Sequence, residues 1–358
     1  MSIAGRMAPT LITGGAGFVG TNLADRLLAM GRPVLIFDNL SRAGVRENLR
    51  WLQDQHNGSL EVEVADIRDA DAVNRAVAKA GAVYHLAAQV AVTTSLQDPV
   101  QDFQINALGT LNVLEALRRH QPAPPLVMTS TNKVYGNLND LGLRQTAQRY
   151  VPAQPAIRAN GVSESRSLDF HSPYGCSKGA ADQYVLDYGR CFGMPTVVFR
   201  MSCIYGPHQF GTEDQGWVAH FLIRARAGAT IEIFGDGCQV RDILYVQDLV
   251  NALVIAVDEA DSLAGHAYNI GGGPANTLSL LELLALLREQ RGLRPATRFS
   301  PWRNGDQRYY VSDTRRFRSA TGWKPTIGAP EGIKKLAAWL DELDQSTASA
   351  APAMAVRQ

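Results

Sequence analysis

A doubly wound α/β fold built on a parallel sheet is predicted by three observations. Short apolar runs alternate with amphipathic helical stretches, the pattern of a parallel sheet with helices on both faces. The first apolar run ends in Thr13-Gly14-Gly15-Ala16-Gly17-Phe18-Val19-Gly20 and opens a helical pattern. Far downstream, Tyr174 and Lys178 stand four residues apart, on one face of a predicted helix.

The elements follow in order. Thr10 to Thr13 reads as a buried strand and Thr21 to Met30 as the helix after the glycines. Pro33 to Phe37 is a second buried strand, ending at Asp38. Leu60 to Val64, Ala82 to Leu86 and Leu126 to Thr129 are the third, fourth and fifth, and Thr196 to Arg200 the next. Helical patterns cover Ala70 to Ala80 and Asp102 to Arg119. Ser172 is a candidate N-cap, and Pro173 suits the first turn of a helix running to Cys191. Beyond it, Ile231 to Phe234, a turn at Gly235-Asp236-Gly237, and Ile243 to Val246 read as a small sheet element, with an amphipathic helix over Leu278 to Arg291. A cofactor domain over 9–200, with strands returned from the second half, a second lobe over 201–341 and a disordered tail over 346–358 are expected.

The glycine run has the spacing that lets a strand turn into a helix and lets backbone approach a pyrophosphate, which the helix N-terminus then binds. Asp38 lies 18 residues beyond Gly20, near the spacing of a carboxylate that hydrogen-bonds the adenosine ribose. Its charge repels a 2′-phosphate and favours NAD, whereas Arg42 is the nearby cation that could accept one. A lysine beside a tyrosine can lower the phenol pKa, so Tyr174 and Lys178 suit proton transfer at an alcohol carbon. Thr129-Ser130-Thr131 follows the fifth strand, at the sheet edge where open α/β sheets place ligands.

Of the 358 residues 35 are basic and 34 acidic, so no basic stripe argues for nucleic acid and no acidic block for a cation-binding tail. The cysteines Cys176, Cys191, Cys203 and Cys238 form no CxxC pair and read as free thiols of a reducing cytoplasm. No secretory leader and no membrane span are expected. No metal site is expected.

These motifs resemble the extended short-chain dehydrogenase/reductase family over about residues 9 to 341. The pattern is carried by Gly14, Gly17 and Gly20, by Asp38, by His85-Leu86-Ala87-Ala88, by Thr131 before Val134-Tyr135-Gly136, by Tyr174 and Lys178, and by Arg241-Asp242. The resemblance implies a Rossmann-type fold, NAD as cofactor and a nucleotide-sugar substrate. It implies catalysis by Thr131, Tyr174 and Lys178. It places the cofactor against Gly14, Gly17, Phe18, Val19 and Gly20; against Asp38, Asn39, Ser41 and Arg42; against Asp66 and Ile67; and against Leu86, Ala87, Ala88, Gln89, Asn106, Thr129, Tyr174, Lys178 and Met201. Substrate contacts fall on Thr131, Asn132, Gln215, Arg241, Arg303 and Asp306, and on Cys203, which stands where many relatives place an asparagine.

Longer runs narrow the resemblance: Ser130-Thr131-Asn132-Lys133-Val134-Tyr135-Gly136, the stretch from Leu168 to Tyr184, Asp214 to Val218 and Gly305-Asp306-Gln307-Arg308. They resemble the branch that inverts carbon 2 of CDP-linked sugars for surface polysaccharides, implying a cytoplasmic, NAD-retaining epimerase that forms dimers or tetramers. A 4-epimerase, a net dehydrogenase or reductase, and an NAD-sensing binding protein are the alternatives. A 4,6-dehydratase is disfavoured, because Asn132 and Lys133 replace the acidic pair that reaction needs.

Overall fold

The computed structural model describes residues 8–56, 58–303 and 305–350. Its centre is a seven-stranded parallel sheet. Five strands come from the first half: β1 (Thr10–Thr13), β2 (Val34–Asp38), β3 (Leu60–Val64), β4 (Ala82–His85) and β5 (Leu126–Thr131). They run in the order β3-β2-β1-β4-β5, and the sheet is completed by Thr196–Met201 and then His266–Ile270. The strand order reverses between β1 and β4, which opens a crevice at their carboxyl ends. β1 and β4 are buried on both faces and apolar throughout except for Thr10, Thr13 and His85, as a doubly covered parallel sheet requires. One core packs Leu23, Leu27, Ile36 and Leu253 on one side of the sheet; a second packs Leu11, Val83, Leu114 and Val185 on the other.

Several boundaries differ from the sequence reading. Helix α1 is Phe18–Ala29 and begins directly after Gly17, its N-cap, so Phe18 and Val19 are helical. β5 continues through Ser130 to Thr131 because its neighbour pairs with it that far, Thr131 opposite Met201. The helical stretch expected from Asp102 starts at Pro99, capped by Asp98, and carries a π-helical turn over Gln104–Leu108 before Gly109–Arg118. The strands at Ile231–Phe234 and Val240–Tyr245 do not form a hairpin. The first pairs in parallel with Thr297–Ser300; the second pairs with Cys203–Tyr205, Thr277–Ser279 and Tyr309–Tyr310. The second lobe is therefore two small sheets over a third core of Val218, Leu222, Ile243, Leu283 and Ile333.

The last helix, Ala329–Ala350, extends into the segment expected to be disordered from Ser346, and residues 351–358 lie outside the described residues. All four cysteines are free. No helix among the described residues is long and apolar enough to cross a membrane.

Candidate active site

The crevice is built first from backbone. Gly14 turns with φ +69° and packs so closely on the β4 loop that a Cβ would stand 2.7 Å from the Ala87 nitrogen. A Cβ on Gly20 would stand 2.4 Å from the Gly14 carbonyl, so these two glycines are demanded by the turn itself. Gly17 differs: the one contact its Cβ would make is with the Gly14 oxygen at 3.1 Å. Its bareness leaves space on the ligand side. α1 has no side-chain cap, so its first N–H groups are available to a phosphate. Asp38 is fixed over this turn, its carboxylate accepting from Ala16 N (3.1 Å) and Leu40 N (2.8 Å). Burial raises its pKa. The observed cradle fits a dinucleotide: uncapped helix end, bare Gly17 and an oriented acid.

Around it stand the other predicted cofactor residues. Asn39 donates to Asp66 (3.0 Å) and accepts from the Ser41 amide (3.1 Å). Arg68 holds the Asp66 carboxyl far below its usual range. Ile67 is buried, and Gly109 abuts it too closely for a Cβ. Arg42 lies in the field of both Tyr174 and Asp38, and burial lowers its pKa. Thr13 holds the loop after β4: its carbonyl accepts from Leu86 N and its hydroxyl from Ala87 N. Past Ala88, Gln89 exchanges backbone hydrogen bonds with the Asn106 side chain (2.9 and 3.1 Å).

Tyr174 and Lys178 lie on the helix Ser172–Phe192, both buried. Ser172 accepts from Gly175 N (3.3 Å) in a left-handed conformation, φ +66°, rare for a non-glycine residue and a strain found at functional sites. Thr131, at the end of β5, faces the Tyr174 phenol and lowers its pKa, while its hydroxyl accepts from Lys133 N (3.2 Å) and donates to Asn132 (3.4 Å). Lys178 donates to the Thr129 carbonyl (2.7 Å), and burial lowers its pKa to about 8. One expectation is corrected here. The Tyr174 pKa is pushed up to about 12, by burial first and the Asp102 charge second, against the lowering effects of Thr131 and Arg42. The Lys178 ammonium, expected to lower the phenol pKa, is hydrogen-bonded to the Thr129 carbonyl, and the net shift of the phenol is upward.

Sequence reasoning missed the polar layer behind this pair. Asp102, almost completely covered, accepts from Ser177 (2.5 Å) and Asn106 (3.2 Å) and acts on both Tyr174 and Lys178. Its signal was available: an acid four residues before Asn106 in a helix, and a serine just before Lys178.

The residues predicted to contact substrate come from separate segments. Asn132 follows Thr131 into a short 3-10 turn and meets Gln307 at 3.4 Å. Arg241 faces Cys203 and Lys133 from the strand Val240–Tyr245. Asp306 also faces Lys133. Gln215 closes a tight backbone turn with Thr212. Arg303 is already engaged: it pairs with Glu213 and Asp214 and stacks on Phe234, its guanidinium 3.6 Å from the ring centroid.

The NAD dependent epimerase/dehydratase family matches residues 10–271. A CDP-paratose 2-epimerase of Salmonella typhi is 44% identical over 340 residues, covering 93% of this chain and 99% of that one. A UDP-glucose 4-epimerase of Mycolicibacterium smegmatis is 35% identical, covering 91% and 96%. The crystal structure of the Thermus thermophilus UDP-glucose 4-epimerase in complex with NAD superposes with a TM-score of 0.75 at 33% identity, covering 92% and 97%. With the glycine cradle and the Thr131-Tyr174-Lys178 set in place, these likenesses settle the family: the chain belongs to the NAD-dependent epimerases and dehydratases of the extended short-chain dehydrogenase/reductase family, with NAD as its cofactor.

Proposed function

We propose that this enzyme inverts carbon 2 of a CDP-linked 3,6-dideoxyhexose, converting CDP-paratose to CDP-tyvelose through a 2-keto sugar. The similarity to CDP-paratose 2-epimerase, spanning nearly the whole of both chains, carries this reading. The site chemistry agrees with it: Asn132 and Lys133 lack the acid–base pair of a dehydratase, while the proton-transfer set is complete.

Gly14, Gly17, Phe18, Val19, Gly20, Asp38 and the loop after β4 would hold NAD, whose chemistry at carbon 2 would be reversible hydride acceptance. Tyr174 takes the proton of the carbon-2 hydroxyl and later gives it back. Thr131 holds the reacting oxygen and the phenol together. Lys178 orients the nicotinamide end and keeps a positive charge behind it. Tyr174 alone would be a poor base near neutral pH, since burial favours its neutral form. Thr131 and Arg42 are the groups of this chain that favour its ionisation, and the positive charge of an oxidised nicotinamide would add to them. Arg241 and Arg303 hold the pyrophosphate, and Asp306 the nucleoside ribose, in the lobe 201–341; Gln215 and Cys203 line the sugar. A product released only after hydride return requires the cofactor to stay bound.

The protein acts as a homo-oligomer in the cytoplasm, supplying surface-polysaccharide sugars. The helical stretch Pro99–Arg118 and the helix Ser172–Phe192 leave Val100, Phe103, Leu108, Tyr184 and Phe192 exposed, an apolar face suited to a second copy. Incubation with CDP-paratose, CDP-glucose and UDP-glucose, with product stereochemistry read by NMR, tests the reading. Carbon-2 inversion of the CDP-sugars supports it; turnover of UDP-glucose alone contradicts it.

A further inference from the structure

Lys133 is used by none of the steps above, yet it stands among the residues predicted to contact substrate, Arg241, Asp306 and Cys203. It lies two residues after Thr131, and its amide donates to the Thr131 hydroxyl (3.2 Å). Its ammonium donates to the Gly305 carbonyl (2.7 Å), the one acceptor hydrogen-bonded to it among the described residues. An ammonium has three donors, so two are left for a ligand. The charged groups facing it are the Arg241 cation and the Asp306 carboxylate, with the Cys203 thiol held neutral by burial. Two cations against one anion, enclosed by protein, leave room for a negative charge. Burial and Arg241 together lower the Lys133 pKa to about 8, the mark of a cation short of counter-charge.

The chemistry of the substrate says which charge that is. The diphosphate is attached to carbon 1. Carbon 2 is bonded to carbon 1, whereas carbon 4 lies across the ring. Presenting carbon 2 to Tyr174 and Thr131 therefore draws the sugar-bearing phosphate toward the carboxyl end of β5; presenting carbon 4 holds it a ring's width away. A cation two residues beyond Thr131 is where the first pose needs one.

We propose that Lys133 binds the sugar-bearing β-phosphate and thereby selects carbon 2 over carbon 4 for oxidation. This rests on the carbon-2 reading of the reaction. The neighbouring contacts give the cation a fixed place. Gly305 anchors the ammonium, Asn132 meets Gln307, and Gln307 donates to the Gly136 carbonyl (2.6 Å), so the nucleotide-binding segment is fastened to the turn that carries Lys133.

The test compares CDP with CMP, which lacks the β-phosphate, on NAD-loaded wild type and Lys133→Met by calorimetry. CDP affinity falls roughly 10- to 100-fold in the variant, the effect of losing a hydrogen bond to a charged group, while CMP affinity and NAD content stay unchanged. Turnover of CDP-paratose at carbon 2 falls with it. In the wild type, needing no variant, the CDP-to-CMP affinity ratio declines as pH rises through about 8, because Lys133 titrates there. Equal weakening of both ligands, or of neither, overturns the proposal and leaves Lys133 a tether for Gly305. A wild type that inverts carbon 4 alone sinks the reaction assignment, whatever the CDP-to-CMP contrast shows.

Discussion

The two halves of the crevice are built in different ways. The cofactor side is backbone: a glycine turn, a helix end and a loop, each short and contiguous in sequence, with Asp38 locked by two amides. The proposed substrate side is side chains from five separated segments, at Thr131 to Lys133, Cys203, Gln215, Arg241 and Arg303 to Gln307. Backbone sites are fixed by sterics and survive across activities of one family. Side-chain sites can be rebuilt residue by residue, so specificity resides there. Substitutions on the two sides should therefore fail differently.

The largest effect is expected where the halves meet. Tyr174→Phe removes the hydroxyl alone, and turnover should fall by on the order of 10² to 10⁴ with NAD content and CDP affinity intact. Steady-state rates with NAD released on denaturation check both points. Near-normal turnover would remove the tyrosine from proton transfer.

On the substrate side, Arg241→Ala should weaken CDP binding by roughly 10- to 150-fold. Arg303→Ala should cost less, because its guanidinium gives up Glu213 and Asp214 to reach a phosphate. Calorimetry with CDP ranks the two. A greater loss at Arg303 would show that the acid pair releases it on binding without cost.

On the cofactor side the glycines should separate. Gly20→Ala drives a Cβ into the Gly14 carbonyl and should lower the melting temperature by a few degrees, as overpacking of about 1–3 kcal/mol does, as well as lose NAD. Gly17→Ala should lose NAD with the melting temperature of the cofactor-free protein unchanged. Retained NAD in Gly17→Ala would mean that the phosphates sit elsewhere.

The smallest effect concerns stability. His208 is buried neutral between Trp51 and Trp339, its pKa lowered to about 4. A depressed folded-state pKa means that the unfolded chain binds the extra proton first. Its contribution is therefore complete above about 6.5 and is lost as pH falls from there to about 4. His208 has φ +67°, a conformation that asparagine tolerates. His208→Asn should flatten the urea-measured stability curve by about one proton across that window. An unchanged slope would place the proton uptake on other groups, of which buried His85 is the first candidate.

The same contrast explains what could be read from the sequence. Six of the seven strands of the central sheet, the glycine turn and the Tyr174–Lys178 helix are local patterns, and each was legible to within a few residues; the edge strand His266–Ile270 was not read from the sequence. The π-turn at Gln104–Leu108 was not, since no residue in the run breaks an α-helical pattern. Nor was the pairing of Val240–Tyr245 with strands of two or three residues far away in sequence, which the Gly235–Gly237 turn disguised as a hairpin. The phenol's raised pKa was invisible for a related reason: spacing tells which residues share a helix face, whereas burial and the turn of Lys178 toward Thr129 are set by tertiary packing. Lys133 appeared in sequence only as an acid that was missing; its place among Arg241, Asp306 and Gly305 needed the fold.

The central claim is transient oxidation at carbon 2 with the hydride kept on the enzyme. CDP-paratose deuterated at carbon 2 tests it most directly, with the product examined by NMR after turnover in ordinary water. The account predicts CDP-tyvelose inverted at carbon 2 with its deuterium still there and no proton gained from solvent, because a hydride held by the cofactor does not exchange with water. Deuterium lost to solvent, or deuterium retained with inversion at carbon 4 instead, would contradict it.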